Sequence, residues 1–390
     1  MNKIPKLRFK EFSGDWEHKH LDKIVERVTR KNKGTISRLP LTISAQHGLV
    51  DQETFFNKTV ASKNLEGYYL LENGEFAYNK SYSNGYPWGA IKRLDRYEKG
   101  VLSSLYICFK KLDKTNSNYI KQYFETSKWY KEVSMIAVEG ARNHGLLNIS
   151  VSDFFNTLHY IPSKEEQEKI ASFLSLIDDK ISLQGEKVEM LKDYKTGMMQ
   201  KIFSRELRFK DDDGRDYPEW EEKKLESIVS KKKKGKNPVY AERGSILLNN
   251  EYMENNTEPL YVENEIDINT EDILILWDGS QAGKMYTGFT GVLGSTFVAI
   301  TLDKNNCNHF IYQQLIYNLD KIQTAWREGS GVPHVAKDFI ENFKIEVPVL
   351  EEQIKISKVL DGIDVKLKKE KDKLDYLNEY KKGLLQQMFV

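Results

Sequence analysis

Cysteine is almost absent from this 390-residue chain, in which Cys108 and Cys307 are the only two. Two cysteines this far apart form neither a disulfide framework nor a metal cluster, so a reducing cytoplasm is the expected location. No apolar run approaches the roughly 18 residues that a membrane span requires. The first ten residues also lack the apolar stretch of a secretory signal peptide. These absences exclude an integral membrane protein, and we expect no membrane partner.

Motifs for catalysis are missing as well. The stretch Asn-Pro-Val-Tyr at 237–240 lacks the second proline of the adenine-methyltransferase motif and follows a lysine run instead of an apolar strand. The stretch 279–285 is one residue short of a phosphate-binding loop, and Met285 stands where a serine or threonine would bind magnesium. The seven histidines never occur at metal-ligand spacing. We therefore expect no catalytic residues, no metal and no bound cofactor in this chain.

What the sequence does contain is an internal repeat. Leu-Arg-Phe-Lys at 7–10 recurs at 207–210, and each copy is followed by a tryptophan, Trp16 or Trp220. A longer repeat, 162–203 against 348–389, keeps a constant separation of 186 residues without a gap. Between these fixed segments the similarity is weak. The pattern predicts a variable domain, a fixed helix, a second variable domain and a second fixed helix, at 1–163, 164–203, 204–349 and 350–390.

Each fixed segment has the pattern of a coiled-coil helix. Steps of four and three residues fall on apolar side chains at eight of ten places, and the polar breaks occur at the same steps in both copies. A stripe this narrow favours a partner helix, and antiparallel pairing of the two copies aligns their ends. The alternative is two amphipathic helices packed separately on their own domains. The predicted seam contains Ile170, Leu174, Ile177, Ile181 and Leu191 of the first helix and Leu360, Ile363, Leu367, Leu374 and Leu377 of the second.

Both variable domains are predicted to be mixed α/β. Short aromatic and β-branched runs bounded by Gly or Asn, such as 68–71, 76–78 and 105–109, predict strands, as do 273–277 and 297–300 in the second domain. A helix is predicted from Tyr119 to Val133, and another from about His309 to Trp326. The expected fold class is α+β, with two mixed α/β domains separated by a long antiparallel two-helix coiled coil and related by a pseudo-two-fold internal repeat.

The order of these motifs resembles the specificity subunit of type I restriction–modification systems. The most specific element is Pro-x-x-Glu-Glu-Gln, at 162–167 and again at 348–353, opening a helix that ends at Phe203 or Phe389. The resemblance implies that each variable domain is a target recognition domain for one half of a bipartite site in double-stranded DNA. It also implies that the helices set the spacer and dock methyltransferase subunits, two of them in the expected complex.

The same resemblance assigns the chemistry to partner subunits. The methyltransferase subunits are expected to bind S-adenosylmethionine, and restriction or translocase subunits that use ATP are further candidate partners. This chain is implied to be non-catalytic and to bind no cofactor of its own. Two other functions stay open from the residues: a self-sufficient DNA adenine methyltransferase with fused recognition domains, and a coiled-coil structural interaction protein without a role on DNA.

Charge is divided unevenly between the two halves. Residues 1–163 carry 25 Lys and Arg against 17 Asp and Glu, a net charge of +8, whereas residues 204–349 carry 18 against 25, a net charge of −7. A net-positive domain suits phosphate contact. The acidic half has one basic exception, the lysine run at 231–234, for which a solvated loop and a phosphate clamp are the two interpretations.

Loops that mix Asn, Arg, Lys, His and Tyr with glycine are the candidate base-reading segments. Asn pairs bidentately with adenine, and Lys or Arg pairs with guanine. For each loop, an ordinary surface turn is the alternative. The candidate DNA-binding residues are Lys80, Tyr82, Asn84, Tyr86, Arg93, Arg142, Asn143 and His144 in the first domain and Lys231, Lys232, Lys233, Trp277, Ser280, Gln281, Lys284, Arg327, Ser330 and His334 in the second.

Overall fold

The computed structural model describes residues 4–58, 61–62, 64–83, 85–137, 147–254, 257–329 and 331–390. The chain divides into two compact units: unit 1 comprises Met1–Gly185 with Asp372–Val390, and unit 2 comprises Glu186–Lys371. Within the described ranges, no helix combines the length and apolarity of a membrane-spanning segment. Each long helix contributes to both compact units, and the predicted four-part division of the chain stays a prediction.

Unit 1 is mixed α/β. Its strands are β1 (Glu17–His20), β2 (Val25–Arg27), β3 (Leu41–Ser44), β4 (Gly48–Asp51), β5 (Tyr69–Glu72), β6 (Phe76–Asn79), β7 (Ala90–Arg93), β8 (Lys99–Leu102), β9 (Ile107–Lys111) and β10 (Leu158–Ile161). Its helices are α1 (Gln52–Phe56), α2 (Ser117–Phe124), α3 (Tyr130–Ile136), α4 (Val151–Asn156) and the first part of α5 (Lys164–Phe203). An antiparallel sheet has the order β2-β9-β6-β7, and β1 pairs with β10, β3 with β4, and β5 with β8.

Aromatic side chains build the main core of unit 1. Phe76 and Phe109 stack 5.3 Å apart across the neighbouring strands β6 and β9. The ring of Phe389, just after the second long helix, lies 6.5 Å from Trp16 and 5.4 Å from Tyr119. Aromatic pairs at these distances add to the free energy gained by burying their area. The segment at 384–389 therefore completes the core that contains Trp16.

The helix predicted from Tyr119 to Val133 is two helices, α2 and α3. The segment between them takes the carbonyl groups that a continuous helix would use. The Thr126 hydroxyl donates to the Tyr123 carbonyl at 2.7 Å, and the buried Trp129 indole donates to the Phe124 carbonyl at 3.2 Å. Side-chain donors that satisfy the last carbonyls of a helix end it there. The prediction of a helical, aromatic-rich span is confirmed, but the prediction of one continuous helix is wrong.

Unit 2 repeats the plan of unit 1. Its strands are β11 (Glu221–Lys224), β12 (Val229–Lys234), β13 (Tyr240–Ala241), β14 (Ser245–Leu248), β15 (Tyr261–Val262), β16 (Ile273–Leu276), β17 (Met285–Tyr286), β18 (Val292–Leu293), β19 (Phe297–Leu302), β20 (Arg327–Glu328), β21 (His334–Val335) and β22 (Lys344–Val347). Its helices are α6 (Asn250–Met253), α7 (Asn308–Tyr317), α8 (Leu319–Ala325), α9 (Phe339–Asn342) and the first part of α10 (Leu350–Met388).

Two sheets of unit 2 correspond to sheets of unit 1. An antiparallel sheet has the order β12-β19-β16-β17, and β11 pairs with β22 as β1 pairs with β10. A further sheet has the order β13-β15-β14-β18, in which β14 and β18 are parallel. The helix predicted from about His309 to Trp326 is again two helices, α7 and α8, which are separated at Asn318. The predicted internal repeat is thus visible as a repeated strand order.

In each unit the two long helices pack antiparallel. In unit 1, Ile170 near the start of α5 and Leu384 near the end of α10 belong to one core. In unit 2, Ile202 near the end of α5 and Ile356 near the start of α10 do so. All ten seam residues predicted from the sequence are buried or partly buried. The antiparallel seam is confirmed, and the alternative of separately packed helices is wrong because each unit contains parts of both.

His159 makes the stability of unit 1 dependent on pH. Its ring lies in the core, between the hydroxyl groups of Tyr123 at 2.7 Å and Thr157 at 2.8 Å. Burial, with a smaller contribution from His18, lowers the pKa of His159 from 6.5 to about 3. Between pH 6.5 and 3 the unfolded chain binds a proton that the folded chain does not, so the free energy of unfolding falls as the pH is lowered through this window.

We expect the loss between pH 7.5 and pH 5.0 to be smaller in His159→Gln than in the wild type, by up to about 2 kcal/mol, because the variant has no imidazole to protonate. Urea unfolding at the two pH values measures this difference. The control is His20→Gln, which changes an exposed histidine and should keep the wild-type pH dependence. An equal loss in wild type and His159→Gln would show that other groups determine the acid sensitivity.

Candidate nucleic-acid interface

The repeated Pro-x-x-Glu-Glu-Gln motif joins each unit to its helix. In unit 1 the guanidinium of Arg8 donates two hydrogen bonds of 2.8 Å to the Glu166 carboxylate. The Gln167 side chain accepts from the backbone N–H of Asn116 at 2.9 Å and donates to the Pro162 carbonyl at 3.0 Å. Glu166 and Gln167 are both buried. The motif therefore fixes the start of α5 against the domain that precedes it.

Unit 2 repeats these junction contacts. Arg208 donates to the Glu352 carboxylate at 3.0 and 3.1 Å, and the Gln353 side chain accepts from the backbone N–H of Cys307 at 2.8 Å. Here the Trp220 indole also donates to Glu352 at 3.1 Å. The carboxylate is fully buried, so these donors replace the water that it has lost. Equivalent residues of the two motif copies thus form the same contacts in both units.

The polar breaks in the helix seam form a second set of matched contacts. In unit 1, the Lys381 ammonium lies 2.6 Å from the Asp178 carboxylate, which also accepts a hydrogen bond from the Gln122 side chain on α2 at 2.6 Å. These contacts tie α2 to both long helices. The same arrangement recurs in unit 2 among Lys195, Asp364 and Gln313.

The predicted loop 80–86 of unit 1 borders a cleft of about 320 Å³, here called the aromatic cleft. Its walls include Phe55, Tyr82 and Tyr86. The Tyr86 hydroxyl donates to the Ala45 carbonyl at 3.2 Å, and burial raises its pKa, so this ring is fixed and neutral. Tyr82 is 60% exposed and is available to contact a sugar or a thymine methyl group.

Two predicted cations of unit 1 already have partners within the domain. The Lys80 ammonium is half-buried and donates to the Ile149 carbonyl at 3.1 Å, and burial lowers its pKa. The Arg93 guanidinium donates to Asp95 at 2.6 Å and to Asn118 at 2.8 Å. Both side chains therefore connect separate segments of unit 1. Their contact with DNA stays a prediction.

The corresponding loop of unit 2 borders a cleft of about 470 Å³, here called the polar cleft. The predicted residues Ser280 and Gln281 line it, together with Asn250 and Asp278. Tyr240, 64% exposed, is at the same cleft and parallels Tyr82 in unit 1. The polar cleft is rich in acceptor oxygens, which suits an amino group on a base edge. The two clefts therefore differ in chemistry while each has an exposed tyrosine.

The other predicted residues of unit 2 are distributed more widely. Trp277 is only 8% exposed and packs in the main core of the unit, so its ring is poorly placed to contact a base. The Lys284 ammonium forms an ion pair with the Glu254 carboxylate. Arg327 and His334 lie on the paired strands β20 and β21. Of the predicted residues in unit 2, Ser280 and Gln281 are the two that line the polar cleft.

The lysine run at 231–234 is a strand, so the interpretation as a solvated loop is corrected. It belongs to β12, which pairs with β19 at the edge of its sheet. Lys233 forms an ion pair with Asp267 at 2.6 Å, and Lys232 lies 3.7 Å from Glu341. Lysines along an edge strand oppose pairing with another chain, which gives the run a structural reason. Its role as a phosphate clamp stays a prediction.

Some predicted DNA-binding residues lie outside the described ranges. They are Asn84, Arg142, Asn143, His144 and Ser330.

Three features of the clefts were not anticipated from the sequence. They are the exposed Tyr240, the helix start at Asn249 and Asn250 beside the polar cleft, and the turn carrying Gln46 and His47 beside the aromatic cleft. The turn had a sequence signal, because polar residues ending in a glycine separate two apolar runs there, as in a β-hairpin.

Comparison with known proteins gives a consistent result. Residues 217–379 match the family model for the type I restriction modification DNA specificity domain. The specificity subunit of the type I restriction enzyme MjaVIII from Methanocaldococcus jannaschii is 34% identical over 200 residues, which cover 48% of this chain and 46% of that protein. The putative MjaX specificity subunit from the same organism is 27% identical over 290 residues, covering 68% and 65%. The chain spans less than two thirds of the length of either relative.

Solved structures share the fold at low sequence identity. The S subunit of a type I restriction–modification system from M. genitalium has a TM-score of 0.62 at 15% identity and covers 99% of both chains. A chain solved in work on complex assembly and conformational transition of the type I R-M system has a TM-score of 0.57 at 15% identity, covering 96% of this chain and 97% of that one. The chain therefore shares the fold of these S subunits, and over part of its length it is similar in sequence to specificity subunits of type I restriction enzymes.

Proposed function

We propose that this chain is the non-catalytic DNA sequence-specificity subunit of a type I restriction–modification complex, with each unit reading one half of a bipartite site. The observation that carries the proposal is a contrast between constant and variable parts. The two units repeat the same junction contacts and the order of their main sheet, whereas their clefts differ, with Phe55 and Tyr82 in one and Asp278 and Gln281 in the other. A site with two different halves requires this combination.

Catalysis belongs, in this proposal, to partner subunits in the cytoplasm. Methylation of a base requires its extrusion from the duplex into an active site, and the proposed methyltransferase subunits, two per complex, supply that site with S-adenosylmethionine. Restriction subunits would add ATP-driven cleavage.

The outward faces of the helices are the proposed docking surface for the methyltransferase subunits. In unit 1 the exposed Leu176 and Leu183 lie seven residues apart on α5. An apolar stripe on a helix whose seam is already filled suits a further helix.

The proposal is tested by expressing the full chain with the methyltransferase subunit of its own system in a host whose DNA lacks modification. We expect sequencing of modified bases to find methylated adenines in a single bipartite motif, with a specified half on each side of an unspecified spacer. The control is the methyltransferase subunit alone, which should produce no motif.

Two outcomes would contradict the proposal. Modification of the same sites without this chain would remove its role in specificity. Transfer of labelled methyl groups to DNA by the purified chain alone would favour a self-sufficient methyltransferase instead.

A further inference from the structure

The turn between β3 and β4 in unit 1 presents two free side chains beside the aromatic cleft. Ser44 pairs with Gly48 across the turn, and the Ser44 hydroxyl accepts from the His47 backbone N–H at 3.1 Å. Gly48 has a φ of 80°, a conformation that a side chain would strain. The side chains of Gln46 and His47 are exposed and form no hydrogen bond with the rest of the described chain. A well-defined turn thus presents one amide and one imidazole to solvent.

Gln46 lies where two clefts adjoin. It lines the aromatic cleft together with Phe55 and Tyr82. It also lines a second cleft of about 330 Å³, here called the basic cleft, whose walls include His47 and Arg96. The turn therefore separates a surface of aromatic rings from a surface of cations, both within unit 1.

Part of the charge in the basic cleft is neutralised internally. Lys92 forms an ion pair with Glu125 at 2.7 Å, while Arg93 and Lys121 both pair with Asp95, at 2.6 and 2.7 Å. Three cations thus share two carboxylates, which leaves an excess of positive charge. These pairs also hold the cleft walls in place.

Arg96 adds to that excess. Its side chain is exposed and has no ion pair with any described residue. A guanidinium next to a positively charged, preformed cleft suits a phosphate group, because its N–H groups match the geometry of the phosphate oxygens. His47, which also lines this cleft, offers a second donor.

We infer that Gln46 is a base-reading residue of unit 1, forming two hydrogen bonds with an adenine in one half-site, and that Arg96 and His47 hold a neighbouring backbone phosphate in the basic cleft. The inference rests on the proposed function and specifies which residue reads which base. A glutamine amide carries the acceptor and the donor that match the N6 amino group and N7 of adenine in the major groove. A phosphate contact beside it fixes the register of the turn on the duplex.

The assignment applies to unit 1 alone. In unit 2 the strand that corresponds to β3 is β14, and the chain leaves it into α6 instead of a hairpin. The Asn249 side chain caps that helix by accepting from the Tyr252 N–H at 2.8 Å. No glutamine or histidine follows β14 in the sequence as Gln46 and His47 follow β3. The two half-sites are therefore read by different local structures.

The base assignment is tested with Gln46→Ala and Gln46→Glu in the full chain, assembled with its methyltransferase subunits. The readout is the set of methylated sequences. We expect Gln46→Ala to lower the preference for adenine at one position of one half-site roughly tenfold, and the other half-site to remain unchanged. Gln46→Glu should shift the preference at that position towards cytosine, whose N4 amino group donates to a carboxylate.

The phosphate assignment is tested with Arg96→Gln and its matched control Arg38→Gln, which removes an exposed arginine of the same unit that lines neither cleft. Binding of the assembled complex to its own site is measured across a salt series. Arg96→Gln should lower affinity for all sequences alike and reduce the slope of log K against log salt by about 0.9. Arg38→Gln should keep the wild-type slope.

The outcomes separate this inference from the proposed function. A wild-type complex that methylates no bipartite motif would refute the proposed function itself. A wild-type complex with a bipartite motif that stays unchanged in both Gln46 variants would overturn the base assignment alone. An unchanged salt slope in Arg96→Gln would overturn the phosphate assignment. All these residues are exposed, so the variants should unfold at the same temperature as the wild type. A thermal scan of each variant is the control for this expectation.

Discussion

Under the proposed function, replacement of residues 1–163 by the corresponding segment of a type I specificity subunit is expected to change one half of the methylated motif completely and to leave the other half intact. The reason is that unit 1 has its own cores and its own cleft, and unit 2 has separate ones. The measurement is methylation-site sequencing of the chimaera assembled with its methyltransferase subunits. The reciprocal exchange of residues 204–349 should change only the other half.

The junction contacts determine which replacement segments are compatible with the long helices that the chimaera retains. The incoming segment must supply an arginine equivalent to Arg8 for the buried Glu166 and a side chain equivalent to Gln122 for Asp178. A matched control is the same exchange with Arg8 replaced by alanine, which should fail to assemble although the cleft is unchanged. A chimaera in which both half-sites change would show that the two units do not read DNA independently.

Arg208→Ala should produce a large loss of stability at the junction of unit 2. It removes two of the donors to Glu352, a carboxylate with no solvent exposure, and leaves that charge with the Trp220 indole. Breaking a buried ion pair from one side costs about 3 to 5 kcal/mol, because the remaining charge is neither paired nor hydrated. Urea denaturation of the full chain measures the free energy of unfolding of unit 2.

Two further variants show whether the buried charge is the cause. Arg215→Ala, the control, removes an arginine of the same unit that is mostly exposed and pairs with Asp211 at 2.8 Å. It should lose little, because exposed pairs are screened by water. Adding Glu352→Gln to Arg208→Ala should recover part of the loss, since a neutral amide needs no counter-charge. A double variant as unstable as the single one would contradict this explanation.

The sequence predicted the repeated framework because that framework depends on periodic patterns. The apolar seam with Leu174 and Leu360 follows a fixed step, and burial of that stripe permits one pairing of the helices. The lysines at the polar steps, Lys195 and Lys381, were recognised as breaks, but their partners Asp364 and Asp178 were not, because an ion pair across two helices depends on rotation about each axis.

The clefts were predicted less well because their lining comes from segments distant in sequence. Trp277 was a candidate for base contact, yet the strand β16 turns its ring into the core. The lysine run was interpreted without its pairing to β19, which places it on a sheet edge. Conversely, Gln46 lies more than thirty residues before Tyr82, and only the folded chain brings both to the aromatic cleft. Local composition predicts which segments are loops, but it does not predict which loops line the same cleft.

One detail of the junction has a consequence for how such proteins diversify. The constant glutamines Gln167 and Gln353 bond to backbone N–H groups, which belong to Asn116 in one half and Cys307 in the other. A contact with the main chain tolerates nearly any side chain at that position. Mutations can therefore accumulate in either variable domain without loosening its attachment to the helix. Under the proposed function, a lineage can then acquire a new DNA target while keeping its partner subunits.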